Sequence, residues 1–371
     1  MAIICLNRNR LRKDAKEEVI KMQRKKNIVL TCIILSVLVF LCACTKKEEK
    51  TKVKVLIVPK FEVGEMSGDF PGEAQLFYEK YCMDCEEIVL PHMPPTAHFF
   101  LNEENGVAIL VTGSGKTASG LSLMEVLSAQ DYDFSDAYIV SVGCGGGSLG
   151  VCTPGDVVHV TATCDFDLGH HVDYREFENE YVLIPWFPDD SYADYAYKIL
   201  NSDLCEKAYQ LTKDIPLQST ELTHQTLEES FANMSNNEKV LRDPEHIKGT
   251  ALSSDNFWKG AYMHFTARYI AEHYGAPDPF AVTEMEEIAI ANTAECFDML
   301  DRIISFRAIV NLDVFLLDET PESTWGENGF NEKVSEANDE TFDIFEPAMH
   351  NLFDTVSVVI DAILDGQLGI E

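Results

Sequence analysis

Short, fully apolar runs alternate along the chain with stretches of helical spacing, and these two periods outline the fold. Lys54-Val-Leu-Ile-Val-Pro59, Val107-Ala-Ile-Leu-Val-Thr112, Ala137-Tyr-Ile-Val-Ser-Val142 and Val157 to Ala162 read as strands. Glu73 to Tyr81 and Thr117 to Gln130 carry apolar residues at helical intervals, each after a glycine-containing turn. Runs without polar alternation belong to strands covered on both faces. The pattern therefore predicts the α/β class, with a mostly parallel sheet covered by helices on both faces. Residues 176–250 are acidic, aromatic-rich and weakly patterned, and are expected to be helices and loops inserted around a site. Ala251 to Phe257, Ala281 to Thr293 and Ile303 to Val310 resume as strand, helix and strand, and Thr341 to Leu364 closes the chain as a helix.

The first 44 residues follow other rules. Gln23-Arg-Lys-Lys26 is a positive segment, Ile28 to Ala43 is an apolar run, and Leu41-Cys-Ala-Cys44 has the form of a bacterial lipoprotein box. The reading is a signal segment over 1–44 with lipid attached at Cys44, a polar tether over 45–52, and one domain over 53–371. Met22 is an alternative start. An uncleaved anchor of about 17 apolar residues is the competing reading. Both readings put the domain at a membrane surface, and the first puts it on the extracytoplasmic face of a bacterial cell membrane. After Cys44 no second apolar segment is long enough to span, so the domain is not expected to be a channel or carrier itself.

Composition sharpens this. The net charge is −33, with 62 acidic against 29 basic residues. Such a field repels nucleic-acid backbones and anionic lipid, so no nucleic-acid partner is expected. Seven cysteines follow Cys44, an odd and scattered set that reads as buried free thiols rather than a disulfide framework. Cys82-Met-Asp-Cys85 has redox spacing without a thioredoxin-like surround, and a lone pair cannot close a zinc site.

Three separated strings carry the candidate chemistry: Val142-Gly-Cys-Gly-Gly-Gly147, Ser253-Ser-Asp-Asn-Phe257, and Thr283-Glu-Met-Glu286 followed by Arg307-Ala-Ile-Val-Asn311. Thr112-Gly-Ser-Gly-Lys-Thr117 looks like a phosphate loop but lacks the required gap between its glycines. Taken in order, the strings resemble the pocket segments of the nucleoside phosphorylase/nucleosidase superfamily, including uridine phosphorylase and methylthioadenosine/S-adenosylhomocysteine nucleosidase. The finer match is to the purine nucleoside permease branch. The resemblance implies a nucleoside phosphorylase-like fold, three-layer α/β/α around a twisted mixed sheet. It further implies that Met285 and Glu286 hold ribose, and that Phe257 and Asn311 hold the base. Gly113, Gly115, Gly143 and Gly145 would present backbone N–H groups to ligand oxygens. Asp167, His170, His171, Asp173 and Arg175 follow the fourth strand, where that branch has pocket-flanking residues; no metal is assigned to them.

Departures matter as well. Related phosphorylases carry an Arg just before the second glycine string, where this chain has Ser141. Another follows their N-terminal Gly-Asp-Pro turn, where Gly68-Asp-Phe-Pro-Gly-Glu73 supplies acids. Without those guanidinium forks a dianion is poorly held. Water is then the better nucleophile, positioned by Glu62 or Glu65 after the first strand. Asn311 stands where purine nucleosidases place an Asp that protonates the base, and an amide supplies no proton. The expectation is a lipid-anchored protein that recognises purine nucleosides and cleaves their N-glycosidic bond by hydrolysis, without a cofactor. The alternative is a non-catalytic binding component of nucleoside transport that works with a separate membrane permease. The resemblance also implies a homo-oligomer.

Overall fold

The computed structural model describes residues 22–23, 50–171, 183–187, 189–317, 319 and 343–369. The chain divides into two units, Met1–Lys50 and Thr51–Glu371. Cys44, Asp173 and Arg175 lie outside the described residues, and no described helix is long and apolar enough to cross a membrane.

Nine strands of the second unit form the main sheet: β1 (Val55–Val58), β2 (His98–Asn102), β3 (Val107–Val111), β4 (Tyr138–Gly147), β5 (Val157–Asp165), β6 (Tyr197–Ile199), β7 (His246–Ser253), β8 (Phe280–Glu284) and β9 (Ile303–Leu312). In space they run β6-β5-β7-β8-β4-β1-β3-β2. β9 pairs in parallel with β4 and antiparallel with β5. β4, β9, β5, β7 and β8 therefore close a circuit; β1, β3 and β2 extend from β4 as an open wing, and β6 adds a short edge to β5. The α/β class and mixed sheet match the expectation; the partial closure is additional.

The helices are α1 (Gln75–Tyr81), α2 (Lys116–Ser128), α3 (Ser202–Thr212), α4 (Glu221–Phe231), α5 (Ala261–His273), α6 (Glu287–Glu295) and α7 (Phe345–Leu364). Strand β1 shows how they layer. Val55 and Ile57 point into one core with Leu352, Val356, Val359 and Ile360 of α7. Leu56 and Val58 point into the opposite core with Leu123 and Val126 of α2 and Ile290 of α6. Alternate side chains face opposite layers, so a strand buried on both sides must be apolar throughout. Each fully buried aliphatic side chain contributes roughly 1.5–3 kcal/mol.

Several boundaries differ from the pattern reading. Ala281 to Glu284 belongs to strand β8, and the helix begins only at Glu287. Thr283 and Glu284 mask the strand because they are polar; Thr283 faces the cavity, and the Glu284 carboxylate is engaged by Ser253, Arg307 and the N–H groups of Glu286 and Glu287. Helix α5 and the edge strands β2 and β6 were also not anticipated. The glycine run is not a loop: Gly143–Gly147 is the second half of β4.

That glycine strand lets three elements converge. A Cβ on Gly145 would lie 2.5 Å from Val282 Cγ2 and 2.6 Å from the Thr283 carbonyl oxygen. One on Gly143 would meet the Glu73 carboxylate at 2.8 Å, and one on Gly146 would meet Asn311 Oδ1 at 2.8 Å. Gly145→Ala should destabilise the protein by about 1–3 kcal/mol, because neither contact is with a flexible side-chain end. Thermal unfolding of the variant checks this; an unchanged melting temperature would contradict the packing described.

Candidate active site

Beyond the ends of β1, β4, β7, β8 and β9 lies a cavity of about 520 Å³. Met285, Glu286, Phe257, Asn311 and Gly145 are all on its wall, so segments distant in sequence are brought to one place. Val310 is a bulge in the β4–β9 pairing, where the register shifts between Ile309 and Asn311. A bulge re-aims the residues beyond it. Asn311, Leu312 and Asp313 all reach the cavity.

Beneath the wall is a buried ionic cluster. Arg307 is 0% exposed and donates from one guanidinium nitrogen to Glu287 Oε2 at 2.7 Å and Glu284 Oε2 at 3.3 Å. Ser141 donates its hydroxyl to Glu287 at 2.6 Å and accepts from Lys60 Nζ at 2.8 Å. Lys60 also donates to the carbonyl oxygens of Val58 and Val142, so all three of its protons are engaged. Glu284 caps the start of α6 by accepting the Glu286 and Glu287 N–H groups, and it also accepts the Ser253 hydroxyl. Burial would raise Glu284, but Arg307 and these donors outweigh it and hold the carboxyl below the usual range. Burial, with the Arg307 charge adding to it, pushes the Lys60 ammonium down to about 8.

Glu286 is placed differently. It is 6% exposed; Oε1 accepts the Gly115 N–H at 2.8 Å, and no partner for Oε2 is found among the described residues. Burial, then the neighbouring Glu284 carboxylate, pushes it up to about 8 despite the opposing charge of Lys60. An oxygen without a protein partner in a cavity is free for a ligand hydroxyl.

Neither Glu62 nor Glu65 lines the cavity. Glu62 folds onto the entry to α1 and accepts N–H groups of Val63, Gly72, Ala74 and Gln75, so helix-end donors consume it. Glu65 is exposed. The acid after the first strand that does reach the wall is Glu73, 4% exposed, whose two oxygens accept the Lys60 and Cys144 N–H groups at 2.8 and 2.7 Å. Its signal in the sequence was an acid opening an aromatic helix directly after Gly72. Lys60, a lone cation after a buried strand, was the other sign passed over.

Of the four glycines expected to face ligand oxygens, Gly113, Gly115, Gly143 and Gly145, only Gly145 reaches the cavity, where Gly146 joins it. Gly143 makes room for Glu73, Gly113 donates to the Lys60 carbonyl, and Gly115 serves Glu286. Phe257 is 67% exposed at the wall, whereas Trp258 also touches the cavity but stacks on Phe166 at 5.1 Å. Asp313 is buried, donated to by Leu149 N–H and in contact with His264 Nδ1 at 2.7 Å; burial raises its carboxyl. Asp167 holds the 254–256 loop, accepting from Ser254, Asp255, Asn256 and Lys116. His171 is exposed on a short strand and the His170 ring lies tilted against Trp186 at 4.4 Å; neither lines the cavity. Among the described residues no group of three His, Cys, Asp or Glu is disposed to hold a metal ion, and the seven described cysteines are free.

Comparison with known proteins gives the following likenesses. A family model described as purine nucleoside permease matches residues 52–367. A probable purine nucleoside permease of Schizosaccharomyces pombe is 22% identical over 256 residues, covering 63% of this chain and 71% of that protein. In fold the chain is similar to the 5′-methylthioadenosine/S-adenosylhomocysteine nucleosidase of Helicobacter pylori, solved with butyl-thio-DADMe-Immucillin-A. The TM-score is 0.50 at 15% identity, over 84% of this chain and 99% of that one. A putative nucleosidase of the same description from Francisella philomiragia gives 0.50 at 16% identity, over 84% and 99%. At such identities the likeness is one of fold.

Two outcomes follow from the ionic cluster. Arg307→Met should cost about 3–5 kcal/mol by stranding two buried carboxylates, and Glu287→Gln in the same chain should restore part of it; urea unfolding reads both. Glu286 has a folded-state value above its unfolded one, so the folded protein holds that proton more tightly. Its contribution is full below the ordinary value of 4.5 and is lost as pH rises through about 8. Glu286→Gln should therefore flatten the fall in stability between about pH 5 and pH 8, measured as unfolding midpoints across that window.

Proposed function

The chain belongs to the purine nucleoside permease family, and on that footing we propose that it binds purine nucleosides and hydrolyses their N-glycosidic bond. The observation that carries this is the convergence of Met285, Glu286, Phe257 and Asn311 on one cavity, with Glu73 on the same wall. As the bond to the base breaks, positive charge builds on the ribose. Glu286 accepts hydrogen bonds from the ribose hydroxyls and stabilises that charge, while Met285 gives the sugar an apolar face. The Phe257 ring lies against the heterocycle, and the Asn311 amide donates to or accepts from its edge. Glu73, fixed by two backbone N–H groups, holds the attacking water and takes its proton.

Hydrolysis is favoured over phosphorolysis because the cations of the wall are already engaged. Lys60 has its three protons on protein oxygens, and Lys259 is paired with Glu319 at 2.6 and 2.8 Å. Arg307 lies behind the wall. The lipoprotein box at Cys44 supports an extracytoplasmic, lipid-anchored location on a bacterial membrane. A homo-oligomer is the assembly the superfamily resemblance suggests. A second reading, a binding component that hands nucleoside to a separate membrane permease, is favoured by Asn311, which gives no proton to the departing base.

Purified protein incubated with inosine or adenosine in phosphate-free buffer should release free base and ribose. Glu286→Gln and Glu73→Gln should each lower kcat/KM by about 10²-fold or more. Tight calorimetric binding without release would favour the transport reading, and release only with phosphate, as ribose 1-phosphate, would favour phosphorolysis. Metabolic labelling with a fatty acid should mark the wild-type chain and not Cys44→Ser; equal labelling would remove the anchor.

A further inference from the structure

The charge around the cavity is lopsided. Glu73, Glu284, Glu286 and Asp313 are on its wall and Glu287 is just behind, salt-bridged to Arg307. Against these five carboxyl groups stand Lys60 and Arg307, since Lys259 is matched by Glu319. His264, in contact with Asp313, adds positive charge only when protonated. The half-buried Cys144 thiol is held well above its ordinary range, first by desolvation and then by Glu73, and adds none. Excess negative charge on buried side chains is costly unless a proton or a cation compensates it. Burial and the neighbouring Glu284 carboxylate accordingly push the Glu286 carboxyl up to about 8.

The base end of the cavity has a complementary gap. Asn311 offers an amide and no acid. Asp313 has one oxygen on the Leu149 N–H and the other on His264, so neither is free to pass a proton to a ring nitrogen. An ordinary purine leaves well only when protonated. A purine that already carries a fixed positive charge has no such requirement.

We propose that the preferred substrates are cationic nucleosides, specifically purine nucleosides alkylated at N7. This deepens the glycosidic-cleavage reading and rests on it. The C1′–N9 bond breaks with its electron pair passing to the base, which cancels the charge of the imidazolium ring and releases a neutral N7-alkylpurine. The water oxygen forms the new bond to C1′, and one water proton goes to Glu73 and then to solvent. The carboxylate excess attracts the cation on entry, and Asn311 orients the base through its remaining edge.

The test compares inosine with 7-methylinosine, using the same protein, by calorimetric affinity and by release of base. We expect 7-methylinosine to bind at least about tenfold more tightly and, where turnover occurs, to have kcat/KM at least about tenfold higher. An advantage below tenfold in affinity, or no binding of 7-methylinosine, overturns the proposal. Because the affinity arm needs no chemistry, a protein that binds the cation preferentially but cleaves neither ligand defeats the hydrolase reading while leaving the charge preference standing. Asp313→Asn, which removes one carboxylate, should narrow the affinity advantage; an unchanged ratio in a folded variant counts against the electrostatic origin.

Discussion

Everything at this site depends on keeping a group of carboxylates buried together. Arg307 is the pivot: one guanidinium nitrogen reaches both Glu287 and Glu284, and Ser141 ties Glu287 to Lys60. Breaking such a cluster strands charges that water cannot reach, so each member constrains the others. The consequence is positional. Glu284 is held ionised at the start of α6, where it accepts the N–H of Glu286 itself. The residue proposed to grip ribose is thus aimed by a neighbour that never needs to touch the ligand.

The glycine half of β4 is the geometric counterpart of that cluster. Glu73, β8 and β9 each approach where a Cβ would collide. Closure of β4, β9, β5, β7 and β8 into a circuit brings the ends of β8 and β9 to one cavity. A flat sheet would leave Glu286 and Asn311 pointing along separate edges. The bulge at Val310 completes the convergence by allowing Asn311 and Asp313 both to reach inward.

Much of this was legible along the chain because burial leaves a period. Val55 to Val58 and Val107 to Val111 read as strands because both faces are covered, and α7 because its apolar residues recur on one stripe. Met285, Glu286, Phe257 and Asn311 were legible through their strings, and they do share a cavity. What could not be read was which polar residue faces which space. Glu62 and Glu73 are both acids after the first strand, yet one is drawn to helix-end N–H groups and the other to the N–H groups of Lys60 and Cys144. That choice is made by tertiary approach, which no local pattern records. Strand β8 was hidden for the same reason, since Glu284 is a buried acid made tolerable by Ser253 and Arg307, partners far away in sequence.

The most direct measurement is a crystal structure of the protein with a non-hydrolysable purine nucleoside analogue. The account predicts both ribose hydroxyls within hydrogen-bonding reach of Glu286, the sugar against Met285, the base between Phe257 and Asn311, and a water on Glu73. A nucleoside bound outside this cavity, or in it with Glu286 making no contact to the sugar, would contradict the central claim.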